Sequence, residues 1–192
     1  MRISRVIQGV AILACLAAAV VSYHLVLKHV MGSSGAAWFD AGCADKPVPG
    51  GANCAAVLAS PYSYFPPKKP DEHDRGLHLP VAFLGLVYYS ALLMWLIGIG
   101  RPSPRRRRLH LLPLLLVGMG LAASAYYMNI MFRVLGEWCP WCVATHVLNL
   151  LIAICLLFLW PGRPKAVQVH APPDIPALTG QAGLAGPLNP SA

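Results

Sequence analysis

Cys139-Pro-Trp-Cys142 stands at the head of an apolar run that continues to Trp160, within the stretch EWCPWCVATHVLN (137–149). Two cysteines at this spacing can hold a metal, staple a fold or exchange electrons with another thiol pair. The thiolate is the reactive form, and the positive end of a helix lowers a thiol pKa. Pro140 fits the first helical turn, where its missing N–H costs nothing. In helical projection Cys139, Cys142, His146 and Asn149 fall within an arc of about 80°, one face. A thiol pair, an imidazole and an amide thus descend together into an apolar segment. Polar groups at such depth are expensive, so they face a bundle interior or a site. The bland reading has His146 and Asn149 hydrogen-bonding neighbouring helices. The functional reading is a pocket for a membrane-soluble carbonyl compound, and a quinone fits: an apolar body, two carbonyl acceptors, and the ability to take two electrons from a dithiol.

Four further cysteines complete the set. Cys15 and Cys155 sit inside apolar runs without sequence-adjacent partners, where lone thiols act as small hydrophobes. Cys43 and Cys54 lie in a long polar loop that maps to the same side as Cys139 and Cys142. Four cysteines on an oxidising side, arranged as two pairs, suggest disulfide chemistry. A zinc cage of all four and a pair of static disulfides are the structural alternatives. Zinc sites commonly use two closely spaced pairs, whereas ten residues separate Cys43 from Cys54. Redox exchange is therefore expected and a metal is not.

The elements that must carry these residues are membrane helices. In the 192 residues, 57% are hydrophobic and 11% charged, and the mean hydropathy is +0.58. This is far from soluble usage. The apolar residues fall in blocks at about 6–27, 80–100, 109–132 and 139–160, each long enough to cross a roughly 30 Å hydrocarbon layer. The first block, preceded by Arg2 and Arg5, resembles a signal peptide, but it continues past Cys15 to Leu27 and is read as a retained helix. An all-α integral membrane protein is predicted, a four-transmembrane-helix bundle with a long extracytoplasmic cap loop over 29–79.

The net charge of +8 is unevenly distributed. Arg2 and Arg5, the five arginines of RPSPRRRR (101–108), and Arg163 with Lys165 flank the apolar blocks, while loop 29–79 is near neutral. Short Lys/Arg-rich loops stay cytoplasmic. Both termini and 101–108 are therefore predicted inside, with 29–79 and 133–138 outside. Topology accounts for the arginine run without nucleic acid, and contact with the lipid bilayer's anionic headgroups is a by-product. Residues 161–192 form a Pro/Gly/Ala-rich stretch with no apolar face, expected to be a disordered cytoplasmic tail. GMGLAAS (118–124) imitates a dinucleotide fingerprint but lies inside an apolar block with no preceding strand. Small residues that let helices approach closely explain it better.

In NCAAVLASPYS (53–63), LPVAFLGLVYYSALL (79–93) and CPWCVATHVLN (139–149), with Cys43 upstream, the chain resembles the vitamin K epoxide reductase family over about residues 5–160. The order of the parts carries the likeness: a spaced loop pair, then a Pro-x-x-x-x-Gly second helix, then Cys-x-x-Cys opening the fourth. Bacterial quinone-linked disulfide-forming proteins of a separate family carry their Cys-x-x-Cys in the first outer loop and fit worse. The resemblance implies a quinone between the helices near Cys142, with Cys139 as that thiol's partner. It further implies that Cys54 exchanges with Cys139, and Cys43 with Cys54. Ser60 matches the loop serine above the quinone. His146 stands where animal enzymes carry a tyrosine, and histidine can donate the same hydrogen bond to a quinone carbonyl. The charged insert PPKKPDEHDRGLH (66–78) departs from the family pattern. Its Asp71, Glu72, His73 and Asp74 could bind a cation, although a solvated loop accounts for them.

The expected activity is that of a membrane thiol:quinone oxidoreductase with no tightly bound cofactor. Electrons would enter at Cys43/Cys54, pass to Cys139/Cys142 and reduce the quinone at Cys142, promoting disulfide formation outside the cytoplasm. Relatives often carry a fused thioredoxin-like domain. The 32 residues after Trp160 are too few for one, which implies a separate extracytoplasmic thioredoxin-like protein. Ala/Pro/Arg-rich usage points to a bacterial inner or cell membrane. The rivals are a quinone or epoxide reductase of another pathway, and a non-catalytic scaffold with structural disulfides.

Overall fold

The structure, a computed structural model, describes residues 2–43, 52–68, 77–98 and 109–160. The arginine run 101–108, the acidic part of the insert (71–74) and the expected tail 161–192 lie outside the described residues.

Four helices long and apolar enough to cross a membrane run over Ser4–Met31, Val81–Gly98, Leu111–Leu135 and Pro140–Phe158. The first, α1, spans Arg2–Met31. It stops at Gly32, whose φ of 75° gives the left-handed turn that ends a helix, and whose N–H donates to the Lys28 carbonyl (3.0 Å). Between α1 and the second spanning helix α4 (Val81–Gly98) lies the cap. It contains the short helices α2 (Ala37–Ala41) and α3 (Cys54–Ala59), a 3₁₀ turn at Pro61–Ser63, and strands β1 (Tyr64–Phe65) and β2 (Leu79–Pro80). The strands pair antiparallel, Tyr64 opposite Pro80 and Phe65 opposite Leu79, so the cap is tied to the start of α4.

Helix α5 (Leu111–Asn129) continues through a π-helical turn at Ile130–Leu135. Helix α6 (Pro140–Phe158) follows. The apolar block is expected to end at about residue 132; the helical path runs on through Val134 and Leu135 and turns at Gly136, with φ 67°. The apolar residues extend the span and the glycine ends it.

Helix α1 packs along both α4 and α6, and α6 also packs on α5, whereas α4 and α5 make only sparse contact. Small residues of α1 permit the close approach: Ala11, Ala14, Cys15 and Ala18 are fully or nearly fully buried against Leu92 and Ile152. A Cβ at Gly85 of α4 would come within 3.3 Å of the Ser22 hydroxyl. Dispersion between closely approaching backbones replaces the hydrophobic drive that lipid does not supply. Large apolar side chains such as Leu13, Met94, Leu115, Leu157 and Phe158 face outward, as expected where hydrocarbon is the solvent.

Candidate active site

The cap brings the two cysteine pairs together. Asn53 caps α3 by accepting from the Ala56 N–H at 3.0 Å, and its own N–H donates to the Trp138 carbonyl at 2.9 Å. Cys54, the first residue of α3, is thereby seated beside the start of α6. Cys43 follows α2, its N–H donating to the Asp40 carbonyl (3.0 Å). Asp40 accepts from the buried Lys28 ammonium of α1 at 3.2 Å. Desolvation pushes its carboxyl upward, but hydrogen bonds from Lys28 and Ser34 outweigh that and hold it below the usual carboxylate range. A depressed carboxyl keeps its partner throughout the neutral range and loses it only as pH falls through that lowered value.

Cys43 and Cys54 are joined in a disulfide, while Cys139 and Cys142 are free thiols. The sulfurs of Cys43, Cys54 and Cys139 all lie within 4.8 Å of one another, and all three residues are buried. Two of these three sulfurs are already spent on a covalent bond, so the trio sets a free thiol beside a disulfide, the pair of groups that thiol–disulfide exchange requires.

Helical projection set Cys139 on the same face as His146. In the structure Cys139 is the N-cap of α6, with extended backbone (φ −109°, ψ 118°), and its sulfur meets the cap pair. The difference arises because a cap residue does not obey the helix's angular period. The sulfur accepts the Cys142 backbone N–H at 3.3 Å. A hydrogen bond from the Cys142 thiol, helped by backbone N–H groups and the Lys28 charge, lowers the Cys139 pKa despite burial.

Cys142 also lines a cavity of about 570 Å³, together with Ser60, His146 and Asn149. The cavity is mostly apolar, bounded by residues such as Leu84, Met119 and Ile130, and lies against the sparsely packed flank between α4 and α5. Ser60 is buried and donates its hydroxyl to the Val57 carbonyl (2.8 Å). Asn149 is 1% exposed and bonded to Tyr88 and Ser124. The seven residues singled out from sequence thus fall in two groups meeting at α6's first turn: Cys43, Cys54 and Cys139 above, and Cys142, Ser60, His146 and Asn149 around the cavity.

The chain matches the vitamin K epoxide reductase family over residues 7–157. It belongs to that family. No curated protein gives a significant match. Membership, together with four apolar spans, makes the protein an integral membrane oxidoreductase whose cysteine pair at Cys43–Cys54 suits disulfide chemistry.

Several residues of the site escaped the sequence reading. Trp141 stacks on Phe39 (centroids 4.6 Å apart, 9° between planes) and donates its indole N–H to the Phe39 carbonyl at 3.0 Å. A Cβ at Gly42 would lie 3.0 Å from the indole, so glycine lets the chain just before Cys43 rest against it. Trp141 is thus a clamp between the two pairs. Its place inside Cys-x-x-Cys was the available signal. Lys28 was a less visible case, because a lysine ending an apolar helix usually snorkels to water and nothing local names Asp40 as its partner.

Proposed function

We propose that this protein is a thiol:quinone oxidoreductase that draws electrons from a thioredoxin-like dithiol outside the cytoplasm. The observation that carries the reading is the division of the α6 pair: Cys139 borders the cap disulfide and Cys142 borders an apolar cavity. A partner dithiol opens Cys43–Cys54 and leaves as a disulfide. The Cys54 thiolate then attacks the oxidised helix pair at Cys139, forming a Cys54–Cys139 bond and releasing Cys142. Cys43 attacks Cys54, which restores the cap disulfide and leaves Cys139 and Cys142 reduced. Two electrons and two protons pass from that dithiol to the quinone, giving a quinol and a Cys139–Cys142 disulfide. The disulfide and thiols in the structure correspond to the stage before this last step.

A quinone is favoured over a soluble acceptor because the cavity is apolar and borders the lipid-facing flank between α4 and α5, where a hydrocarbon tail can leave sideways. His146 and Asn149 are among the polar groups of a mostly apolar lining. In this reading the cap faces the oxidising side of a bacterial cell membrane and both termini the cytoplasm.

The test is quinone consumption by purified, reduced protein, followed by the quinone's own absorbance. Cys142→Ala should abolish it, and His146→Ala should slow it several-fold, about 1 kcal/mol for one neutral hydrogen bond. Cys43→Ser should block reduction driven by a protein dithiol and spare that driven by a small dithiol acting directly on Cys139–Cys142. A parent protein that consumes no quinone of any tail length would overturn the proposal.

A further inference from the structure

Four side chains from three helices form one hydrogen-bonded chain along the cavity. The Tyr88 hydroxyl of α4 donates to the Asn149 amide oxygen of α6 at 2.9 Å. The Asn149 amide nitrogen donates to the Ser124 hydroxyl of α5 at 3.1 Å. That hydroxyl lies 3.0 Å from Nδ1 of His146, again on α6. All four residues line the cavity that Cys142 enters.

Counting hydrogens directs the two bonds of the Asn149 amide, and giving the Ser124 hydrogen an acceptor directs the third. Tyr88 has one hydroxyl hydrogen, and Asn149 is its hydrogen-bond partner among the described residues. That turns the amide oxygen toward Tyr88 and the NH₂ toward Ser124. Ser124 therefore accepts from Asn149, and its own hydrogen has Nδ1 of His146 as its acceptor. A neutral imidazole that accepts at Nδ1 carries its hydrogen on Nε2. Reversing the amide would reverse every link and strand the Tyr88 hydrogen without an acceptor, a costly outcome inside a low-dielectric bundle.

Glycine at 120 makes room for this arrangement. A Cβ there would stand 2.5 Å from the Tyr88 hydroxyl and 3.1 Å from the Asn149 amide nitrogen. The small-residue stretch 118–124 therefore does more than bring helices close. Gly120 admits the network, Ser124 belongs to it, and Gly118 meets nothing within 4 Å.

We propose that Ser124 is a positioning residue that holds His146 as an Nε2–H donor toward the cavity, with Tyr88 and Asn149 setting the polarity of Ser124. Its use rests on the quinone reading above: an Nε2–H held in this way strengthens its hydrogen bond as negative charge grows on a quinone oxygen. The electron and proton balance remains that of the dithiol–quinone exchange, because Ser124 orients a donor and is not consumed.

The full chain, labelled with ¹⁵N-histidine and held in detergent micelles, tests the assignment without any quinone. The His146 signals are found by their loss in His146→Gln. The parent should carry hydrogen on Nε2; Ser124→Ala and Tyr88→Phe should each shift population toward Nδ1–H, and Ser124→Thr should restore the parent pattern. In parallel, Ser124→Ala should lower kcat/KM for quinone about fivefold with a small dithiol as donor, the loss of roughly one hydrogen bond, while Ser124→Thr stays within twofold. A parent with hydrogen on Nδ1, or a Ser124→Ala protein with both tautomer and kcat/KM unchanged, overturns the proposal. The expected tautomers in a parent that reduces no quinone would uphold the positioning role of Ser124 and refute the quinone reading alone.

Discussion

Trp141 offers the sharpest test of whether the cap is held for electron transfer. The side chain lies between the reactive cysteines yet is absent from the cavity lining; it rests on Phe39 and Gly42 of the cap instead. Trp141→Ala removes a stacked aromatic pair, about 0.5–1.5 kcal/mol beyond area burial, and one indole hydrogen bond, about 1 kcal/mol. The docked state of the segment carrying Cys43 is then weakened by about 1.5–2.5 kcal/mol, roughly 10- to 70-fold in population. Asn53 on Trp138 and Lys28 on Asp40 still hold the cap. Passage of electrons from cap to helix pair should therefore slow about tenfold. Trp141→Phe keeps a ring to stack and loses the N–H donor, so about fivefold is expected.

The assay separates this relay from the chemistry below it. A protein dithiol is mixed rapidly with oxidised enzyme, the reaction is quenched with acid, thiols are alkylated, and mass spectrometry follows reduction of Cys139 and Cys142. Quinone consumption driven by a small dithiol that reduces the helix pair directly is measured on the same samples, and should stay within twofold of the parent. An unchanged relay in Trp141→Ala would refute the clamp. Equal loss in both assays would refute it too, because Trp141 would then be acting on the helix pair itself.

Replacing Cys142 with Ser removes the resolving thiol and should trap a Cys54–Cys139 disulfide; finding only Cys43–Cys54 by mass spectrometry would reverse the assumed order of exchange. An impermeant thiol reagent should label Ser63→Cys in intact cells and leave Ser103→Cys untouched, whereas labelling at 103 would invert the topology. Because Cys139 is held below the usual thiol value of 9.0, its thiolate fraction, and with it the rate at which it attacks the Cys43–Cys54 disulfide in the reverse exchange, should climb with pH through a midpoint under 9.0. Lys28→Met removes a positive charge that favours the thiolate, so that midpoint should move upward in rate–pH profiles.

The spanning helices were legible because twenty-residue apolar blocks have few alternatives. Their ends were less so: α5 runs on to Leu135 through a π-helical turn, a backbone choice that composition does not encode. In the site, the cysteines announced themselves by spacing, and His146 and Asn149 by being polar at the wrong depth. Ser124 and Tyr88 did not. A serine in a run of small residues reads as packing and a tyrosine in an apolar helix as an interfacial anchor, until a third helix brings Asn149 between them. Trp141 and Lys28 failed the same way, since each matters through a cap residue distant in sequence, Phe39 or Asp40.

The spacing of the helix pair explains how two sulfurs can serve opposite directions. Residue 139, outside the helix, is free of its period and turns its sulfur to the cap. Residue 142 lies in the first turn and shares the face of His146 and Asn149, one and two turns further along. Moving the second cysteine to 143 would rotate it by about 100°, off the cavity face. The Cys142 N–H that donates to the Cys139 sulfur also belongs to the unsatisfied first turn, so a Cys139 thiolate freed from a bond to Cys54 would face a ready donor. A single turn of helix thus separates a sulfur that borders the buried cap disulfide from one that borders the mostly apolar cavity, which is the separation the proposed relay requires.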